Sequence, residues 1–515
     1  MFFKEKNMVG ILSSAFIFTI VSLTIIGGEK SQVELELLLK NLILSFGSFL
    51  TFSMSLFVIA VVAIAASPLG KLKLGGPESK PQFSSLPWLT MMFSAGMGIG
   101  LLFFGVGEPI LHYSTPAPGI DPGSTTAYQD TLGITVFHWA LHPWSVYAIV
   151  ALFIGYFIRP DERNYSLKIV LKKAMGARFK TSYGQIIDIF TIVSIIIGVA
   201  TSLGLGVMQI NAGLHHYLNW EISQLTQVSL IAGITLVATA SMLSGLGKGV
   251  KRLSEINILV VLLLLASLLI GFAQTDFFSS VLSTTQSYLK LLPSRLFPVE
   301  LLDNNIEWMA DWTFFYWAWW ISWSPFVGIF LAKVSIGRSI REFVYSAVLL
   351  PSLVAIVWFS ILGNSALGLI EQMPELKEIV ASDVTMGMFY YLDQVSQIPA
   401  IFLGIVTLIS ITLFFITSSD SASMVVHGIA ADGNQASGKQ KVYWAFLEGA
   451  LAAVLLYFGG LQSLQSLAVV LSLPVCLYLL MLLVPFIRIL IKDYKQNYSL
   501  IIDDEPIPQS INSNN

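Results

Sequence analysis

The sequence is poor in charged residues. Lysine, arginine, aspartate and glutamate together make up 11% of its 515 residues, whereas a soluble protein carries roughly 25%. So few charges cannot cover a water-exposed surface, which excludes a soluble enzyme and a disordered scaffold. The net charge of -3, without a block of basic residues, also speaks against nucleic-acid binding. The single cysteine, Cys476, excludes an intramolecular disulfide and a cysteine-based zinc site.

Long apolar runs take the place of the missing charge, and 55% of the residues are hydrophobic. A helix needs about 20 mainly apolar residues to cross a bilayer, and twelve such runs are present. The predicted spans are 8–27, 41–66, 88–107, 133–158, 185–210, 223–244, 255–274, 312–333, 340–365, 398–427, 441–459 and 467–490. The sequence therefore predicts an all-α polytopic membrane protein with twelve transmembrane helices.

Lysine and arginine are distributed unevenly among the connections between the spans. Most lie in the N-terminus, the even-numbered loops and the C-terminus, and the densest group runs from Arg159 to Lys180. Because loops rich in these residues stay in the cytoplasm, we expect a multi-pass protein of the cell membrane with both termini cytoplasmic. The basic group is typical of a topology signal in contact with anionic lipid.

Two predicted spans contain glycine or proline where the sequence is most apolar. Span 3 has Gly-Met-Gly-Ile-Gly at Gly96–Gly100, and span 8 has Ser-Pro at Ser324 and Pro325. In a helix, glycine costs about 1 kcal/mol and proline about 3. Backbone freed in this way persists at membrane depth only where it lines a cavity inside the protein. We therefore predict a break in both spans, and for span 3 close helix packing is the alternative.

Spans 3 and 8 each open a block of five spans. Because five is odd, the two blocks must cross the membrane in opposite senses, an arrangement typical of transporters with a site at the midplane. The predicted organisation is two N-terminal helices in 1–87, a first five-helix repeat in 88–274, a connecting segment in 275–311, a second repeat in 312–490 and a short cytoplasmic tail in 491–515.

Tryptophan is concentrated at the eighth span, where six of the twelve lie between Trp308 and Trp323. Trp308 and Trp312 are typical of an aromatic belt at the membrane interface. In contrast, Trp319, Trp320 and Trp323 lie deeper in the span, beside Pro325. An interfacial role does not explain these deeper tryptophans.

Span 4 adds Trp139, Trp144 and Tyr147, which fall within an arc of about 140° on a continuous helix. Core packing explains this spacing equally well. However, aromatic faces beside unwound backbone suit a quaternary ammonium ligand, because such a ligand cannot donate hydrogen bonds and is held by ring faces. If the ligand also carries a carboxylate, the exposed amides of a broken helix can receive it.

These residues resemble the betaine/choline/carnitine transporter family over nearly the whole chain. The matching segments are Ser94–Pro109, His138–Trp144, Asp311–Trp320, Ser322–Phe326 and Thr417–Ser421. The resemblance implies a LeuT-type core of two inverted five-helix repeats and a homotrimer. It also implies that the amphipathic stretch from Phe277 to Phe297 runs along the membrane surface.

The same resemblance implies the residues of two sites. The substrate-binding residues are Trp139, Trp144, Tyr147, Trp320, Trp323, Gly96, Met97, Gly98 and Gly100. The sodium-binding residues are Ser94, Met97, Phe414, Thr417 and Ser418. The alternative for the hydroxyl groups of Thr417 and Ser418 is hydrogen bonding within their own helix. The family also has a second sodium site between spans 5 and 8. Phe326 matches it, but Ile195 and Val199 stand where hydroxyl groups are expected.

Gly100 bears on the choice of substrate. Choline-type members of the family resemble Gly-Met-Gly-Ile-Asp, whereas this chain has glycine at the last position and no aspartate or glutamate from Ser94 through Gly107. Choline is a net cation that benefits from a buried anion, whereas glycine betaine brings its own carboxylate. We therefore expect secondary active uptake of glycine betaine, a compatible solute that serves osmoprotection.

A co-transported ion is expected, and no cofactor. Sodium-independent members place a fixed cation from the fifth span near the ion site, but residues 185–210 contain no lysine or arginine. Sodium symport is the favoured mechanism, and proton-coupled uptake of choline or ectoine is the alternative. A channel is the alternative from another class, but it would leave the aromatic cluster without a purpose.

Two weaker signals concern chemistry. The spacing of His138 and His142 could bind a metal, but no third ligand is evident, and helix packing beside Pro143 is favoured. The sequence contains no phosphate-binding loop and no His-Glu-x-x-His segment. Because no nucleophile or acid/base pair presents itself either, we do not expect an enzyme.

Overall fold

The computed structural model describes residues 8–96, 98–159, 166–244, 250–271, 277–296, 306–395, 398–431 and 437–503. Helices make up nearly all of these ranges, which contain no β-strand. In chain order they are α1 Met8–Ala66, α2 Ser85–Gly96, α3 Ile99–Ser114, α4 Thr125–Trp139, α5 Leu141–Phe157, α6 Lys168–Met175, α7 Thr181–Leu218, α8 Gln224–Ser244, α9 Val250–Gly271, α10 Phe277–Leu296, α11 Ile306–Met309, α12 Phe315–Val334, α13 Ile340–Val344, α14 Leu350–Ile370, α15 Glu375–Ser382, α16 Val384–Gln394, α17 Ala400–Ala430 and α18 Gly438–Asp503. Two π-helical turns, Ala310–Phe314 and Tyr345–Leu349, lead into α12 and α14.

Ten helical stretches in the described ranges are long and apolar enough to cross a membrane, or eleven if the bent pair α2 and α3 forms one span. α1 and α18 each provide two of them, because a glycine with positive φ, Gly28 or Gly460, bends the helix. The predicted all-α, multi-pass class is therefore confirmed. α12, the predicted eighth span, is not among the eleven, and the count of twelve stays a prediction.

The predicted break in the third span is confirmed. α2 ends at Gly96, α3 begins at Ile99, and the chain bends by 60° between them. Gly98 caps α3 with extended backbone. Met97, which we assigned to both the substrate site and the sodium site, lies outside the described residues.

The predicted break in the eighth span is wrong, because α12 runs without interruption from Phe315 to Val334. Pro325 has no N–H group for the carbonyl oxygen of Ile321, but the hydroxyl group of Ser324 donates to that oxygen at 2.8 Å. Since the freed carbonyl keeps a partner, the proline is accommodated inside the helix.

The fourth span contains a break that the sequence analysis missed. α4 ends at Trp139 and α5 begins at Leu141, and Ala140 between them has φ -94° and ψ -113°. Pro143 then lies in the first turn of α5, where a missing N–H group costs little. The fourth predicted span, 133–158, is confirmed, because Thr125–Phe157 is long and apolar enough to cross a membrane. The arc of about 140° is wrong, because it assumed a continuous helix.

Backbone hydrogen bonds join the cytoplasmic ends predicted for α1, α5 and α12. In the segment after α1, Leu74 donates to the carbonyl of Arg338 at 2.9 Å and accepts from Gly337 at 2.9 Å. The next residue, Gly75, donates to the carbonyl of Gly155 in α5 at 2.7 Å. Gly337 and Arg338 lie in the segment that follows α12, which ends at Val334. The segments that follow α1 and α12 and the last turn of α5 therefore share one set of hydrogen bonds. We call this set the three-helix junction.

Candidate functional site

The three glycines of the broken third span each lie against a tryptophan ring. The pairs, with the distance from an added Cβ atom to the nearest ring atom, are Gly96 with Trp144 (2.5 Å), Gly98 with Trp323 (3.0 Å) and Gly100 with Trp139 (2.6 Å). A side chain at any of the three positions would force the ring to move, so the glycines allow three indoles to approach the broken backbone. The close packing that was the alternative to a break in span 3 is therefore present as well as the break.

Trp139 and Trp320 meet edge to face, with ring centroids 5.0 Å apart. Trp320 also stacks on Trp319 at 4.8 Å and on Tyr316 at 5.8 Å. All four rings are buried. Stacked aromatic faces of this kind present negative potential to a cation.

Trp144 and Tyr147 form a second pair, with centroids 5.7 Å apart and the rings nearly perpendicular. Both are buried. Among the described residues, the hydroxyl group of Tyr147 and the indole N–H of Trp323 have no hydrogen-bond partner. Because buried polar groups are normally paired, the Tyr147 hydroxyl is a candidate to bind a polar ligand, whereas the N–H edge of Trp323 lies against Gly198 on α7.

The aromatic box predicted from the sequence (Trp139, Trp144, Tyr147 and Trp320) is thus divided into two contacting pairs. The first pair joins α4 to α12, and the second lies within α5. The glycines at the break contact one tryptophan of each pair, and Trp323 faces the break between them.

The predicted sodium-binding residues lie on two helices that pack together. Ser94 is on α2, whereas Phe414, Thr417 and Ser418 are on α17, and all four are buried. The hydroxyl group of Thr417 lies 3.0 Å from the carbonyl of Leu413, as the intrahelical alternative requires. Its oxygen still has a lone pair, and hydroxyl and carbonyl oxygens suit a hard cation such as sodium.

A buried carboxylate beside Trp139 is the main feature that the sequence analysis missed. Glu108 Oε1 lies 2.8 Å from Nδ1 of His138 and 3.2 Å from Nε2 of His112. Glu108 Oε2 accepts hydrogen bonds from Trp139 Nε1 at 2.7 Å and from the Tyr316 hydroxyl at 2.6 Å. Glu108, His112 and His138 are almost fully buried. Four hydrogen-bonding groups from three parts of the chain therefore meet on one carboxylate.

The two histidines of span 4 have different surroundings. His138 joins Glu108, and its Nε2 lies 3.0 Å from the hydroxyl oxygen of Thr313. His142 instead stacks on Trp317 at 4.7 Å, as expected for a packing role. The ligand atoms of Glu108, His112 and His138 lie within 4.8 Å of one another and could hold a metal ion. Apart from Nδ1 of His112, however, these atoms already have hydrogen-bond partners. The spacing of Glu108 and His112, four residues apart on α3, was the one sequence signal for this cluster.

A cavity of about 890 Å³ reaches the aromatic residues from the side predicted to be extracellular. Phe104 and Tyr316 line this cavity. The same two rings contact Trp139, with centroids 6.0 and 5.6 Å away. A single layer of aromatic rings therefore separates the cavity from Trp139.

Residues 8–495 match the family described as betaine/carnitine/choline family transporter. The glycine betaine transporter OpuD of Bacillus subtilis is 39% identical over 88% of this chain and 88% of its own length. A glycine betaine/proline/choline/ectoine transporter of Vibrio parahaemolyticus is 37% identical over 93% of this chain and 86% of its own length. Among solved structures, a Na+-coupled sialic acid symporter has a TM-score of 0.45 at 15% identity over 86% of each chain, which is too low to support a conclusion.

Proposed function

The chain belongs to the betaine/carnitine/choline transporter family, and from this premise we propose that it takes up glycine betaine by sodium symport. As a member of this family it is a multi-pass membrane transporter and not an enzyme. The observation that carries the choice of substrate is the packing of three tryptophans on the glycines of the broken helix. It gathers ring faces for a quaternary ammonium group next to backbone that can receive a carboxylate.

Two further observations support glycine betaine over choline. Position 100 is a glycine whose space is filled by Trp139, so no carboxylate of α3 enters the box at that point. Several relatives are named as glycine betaine transporters. The name of the Vibrio parahaemolyticus relative also includes proline, choline and ectoine. These solutes are therefore the second candidates.

Sodium is the proposed co-transported ion. Helices α2 and α17 pack against each other, and they carry Ser94 on one side and Thr417 and Ser418 on the other. Glycine betaine has no net charge, so the membrane potential alone cannot concentrate it. Each accompanying sodium ion adds about 2.3 kcal/mol per 100 mV. Proton coupling is the alternative, and the buried Glu108 cluster is the observation that favours it.

We further propose cytoplasmic termini, two inverted repeats and a homotrimer. The distribution of lysine and arginine supports the orientation. We also propose that the segment between the repeats lies along the membrane surface. Its helix α10 packs against α4 and α14, and its buried residues are Ser280, Thr284 and Tyr288.

Uptake into vesicles containing the purified full-length protein tests this function. Labelled glycine betaine should accumulate when an inward sodium gradient and an inside-negative potential are applied, and unlabelled choline and ectoine should compete more weakly than glycine betaine. Accumulation driven by a pH gradient without sodium would overturn the sodium assignment. Flux that does not saturate would indicate a channel.

A further inference from the structure

The hydrogen bonds of Glu108 connect its carboxylate to two rings of the aromatic cluster. Trp139 Nε1 and the Tyr316 hydroxyl both donate to Oε2, at 2.7 and 2.6 Å. Given the proposed function, we infer that Glu108 is the anion that stabilises the cationic head group of the substrate, acting through Trp139 and Tyr316, whose rings it also positions. It is a positioning residue that does not itself touch the ligand.

The hydrogen bonds around Glu108 fit its ionised form. A carboxylate has about four acceptor positions, and this one faces two fixed donors on Oε2, the indole of Trp139 and the hydroxyl of Tyr316. The nitrogens near Oε1 belong to His112 and His138, and each donates to Oε1 in the tautomer that carries its proton on that nitrogen. Within the described part of the chain, His112 and His138 are the only basic groups at ion-pair distance from Glu108.

The proton count on the two imidazoles leaves the cluster with a negative charge. His112 donates to Glu108 from Nε2, and its Nδ1 has no partner among the described residues. A proton on Nδ1 would be buried without an acceptor among the described residues, so the geometry fits a His112 that carries its proton on Nε2 alone. His138 donates from Nδ1, and its Nε2 can accept from the hydroxyl of Thr313. Two neutral imidazoles and one carboxylate give a net charge of -1. The positive charge of Arg295, on α10, also acts on His138 and offsets part of this negative charge, while Asp130 acts on Arg295 in turn.

This charge acts on the ligand through the rings. A charge-assisted hydrogen bond to an indole N–H or a phenol O–H increases electron density on the ring, and a more negative face binds a cation more strongly. Tyr316 stacks on Trp320 at 5.8 Å, and Trp139 meets Trp320 at 5.0 Å. Both rings held by Glu108 therefore contact a third ring, that of Trp320.

The position of the charge fits a zwitterionic substrate. Glu108 lies about two helical turns after Gly100 on α3, and the ring of Trp139 packs between them: it bonds Glu108 at its N–H edge and meets Gly100 at the opposite edge. Glu108 lies on the far side of the Trp139 indole from Gly100, so its charge attracts the trimethylammonium group without occupying the place where the carboxylate of glycine betaine binds. A carboxylate at position 100 would not have this separation.

The test compares two ligands that differ only in the charge of the head group. Glycine betaine and 3,3-dimethylbutanoate have the same shape, but the second has carbon in place of the cationic nitrogen. We would measure Kd for glycine betaine and Ki for the analogue with full-length wild-type protein and with Glu108→Gln. The substitution should raise the Kd for glycine betaine about tenfold, by weakening desolvated cation–π contacts. The ratio of Ki to Kd should fall by a similar factor.

The outcomes separate a role of the charge from a structural role. If Glu108→Gln raises the Kd for glycine betaine and the Ki for the analogue by the same factor, or raises neither, the inference is overturned. If the analogue competes in neither protein, Glu108→Asp decides. Glycine betaine affinity retained with Asp and lost with Gln supports the inference, whereas equal loss in both variants contradicts it. Wild-type protein that binds no glycine betaine would instead overturn the proposed function and the inference with it.

Asp493→Asn is the matched control. The Tyr156 hydroxyl donates to Asp493 Oδ2 at 2.8 Å, so this variant also removes a carboxylate that accepts from a tyrosine. Tyr156, however, lies near the end of α5 and outside the aromatic box. Its Kd and its ratio of Ki to Kd should equal those of the wild type. A tenfold loss in this control would show that the assay responds to general destabilisation and would contradict the reading of Glu108→Gln as an effect of charge.

Discussion

The indole N–H of Trp320 donates a hydrogen bond to the carbonyl oxygen of His138, 3.0 Å away. In a continuous helix that oxygen would accept from the N–H of His142, but α4 ends at Trp139. Trp320 therefore caps a helix end in the interior of the protein with its polar edge, which leaves the face of the ring for packing and for a ligand. The same contact ties α12 to α4 at the level of the aromatic box.

Replacing Trp320 or Trp144 with alanine should weaken substrate binding strongly while leaving expression near normal. Each ring contributes up to about 2 kcal/mol to a desolvated cation–π contact, so the KM for glycine betaine should rise by roughly tenfold or more. Trp220→Ala is the control, because Trp220 is exposed outside the helices, and its KM should equal that of the wild type. A wild-type KM in both box variants would show that the aromatic box is misplaced.

Gly100→Ala should lower glycine betaine uptake, because the added Cβ would lie 2.6 Å from the ring of Trp139 and displace it. Gly100→Asp should lower glycine betaine uptake further, since the new carboxylate repels that of glycine betaine. Choline uptake should rise relative to glycine betaine uptake. Gly233→Ala, on α8, meets nothing within 4 Å and serves as the control. Initial uptake rates with the two labelled solutes test this, and unchanged rates in both position-100 variants would place that residue away from the ligand.

Ser324→Ala should destabilise the protein by about 1–3 kcal/mol, because it leaves the buried carbonyl of Ile321 without a donor. Ser322→Ala is a matched control in the same helix. Its hydroxyl donates to the carbonyl of Trp319, which the backbone N–H of Trp323 can also serve, so the loss should be smaller. Thermal unfolding of the purified variants measures the difference, and equal stability losses would argue against this account of Pro325.

Thr417→Ala should raise the sodium concentration needed for half-maximal uptake, because one proposed ion ligand is lost. Thr412→Ala is the control on α17, since its hydroxyl likewise donates to a backbone carbonyl, that of Leu408, at 2.8 Å. Uptake measured against sodium concentration at saturating glycine betaine should shift only for Thr417→Ala. The same shift in both variants, or in neither, would count against a sodium site at Thr417.

The fold class and the glycine break were predictable because they depend on composition and local backbone cost. The effect of each proline was not, because it depends on which group satisfies the freed carbonyl. Ser324 supplies that group inside α12, whereas at Pro143 the helix breaks before the proline. For the same reason the site was predicted only in part. Glu108 lies close in sequence to the glycine motif, but its partners His138 and Tyr316 come from other helices.

The three-helix junction has a mechanical consequence for the transport cycle. Leu74 and Gly75 hold the ends of α5 and α12 through hydrogen bonds of 2.7–2.9 Å, so those ends cannot slide past each other without breaking backbone pairing. We therefore expect rearrangements that open the site to one side of the membrane to pivot around this point. When structures with the site open to opposite sides of the membrane are compared, the segments around Leu74, Gly155 and Gly337 should superpose as one rigid body. Helices outside the junction should rotate relative to it.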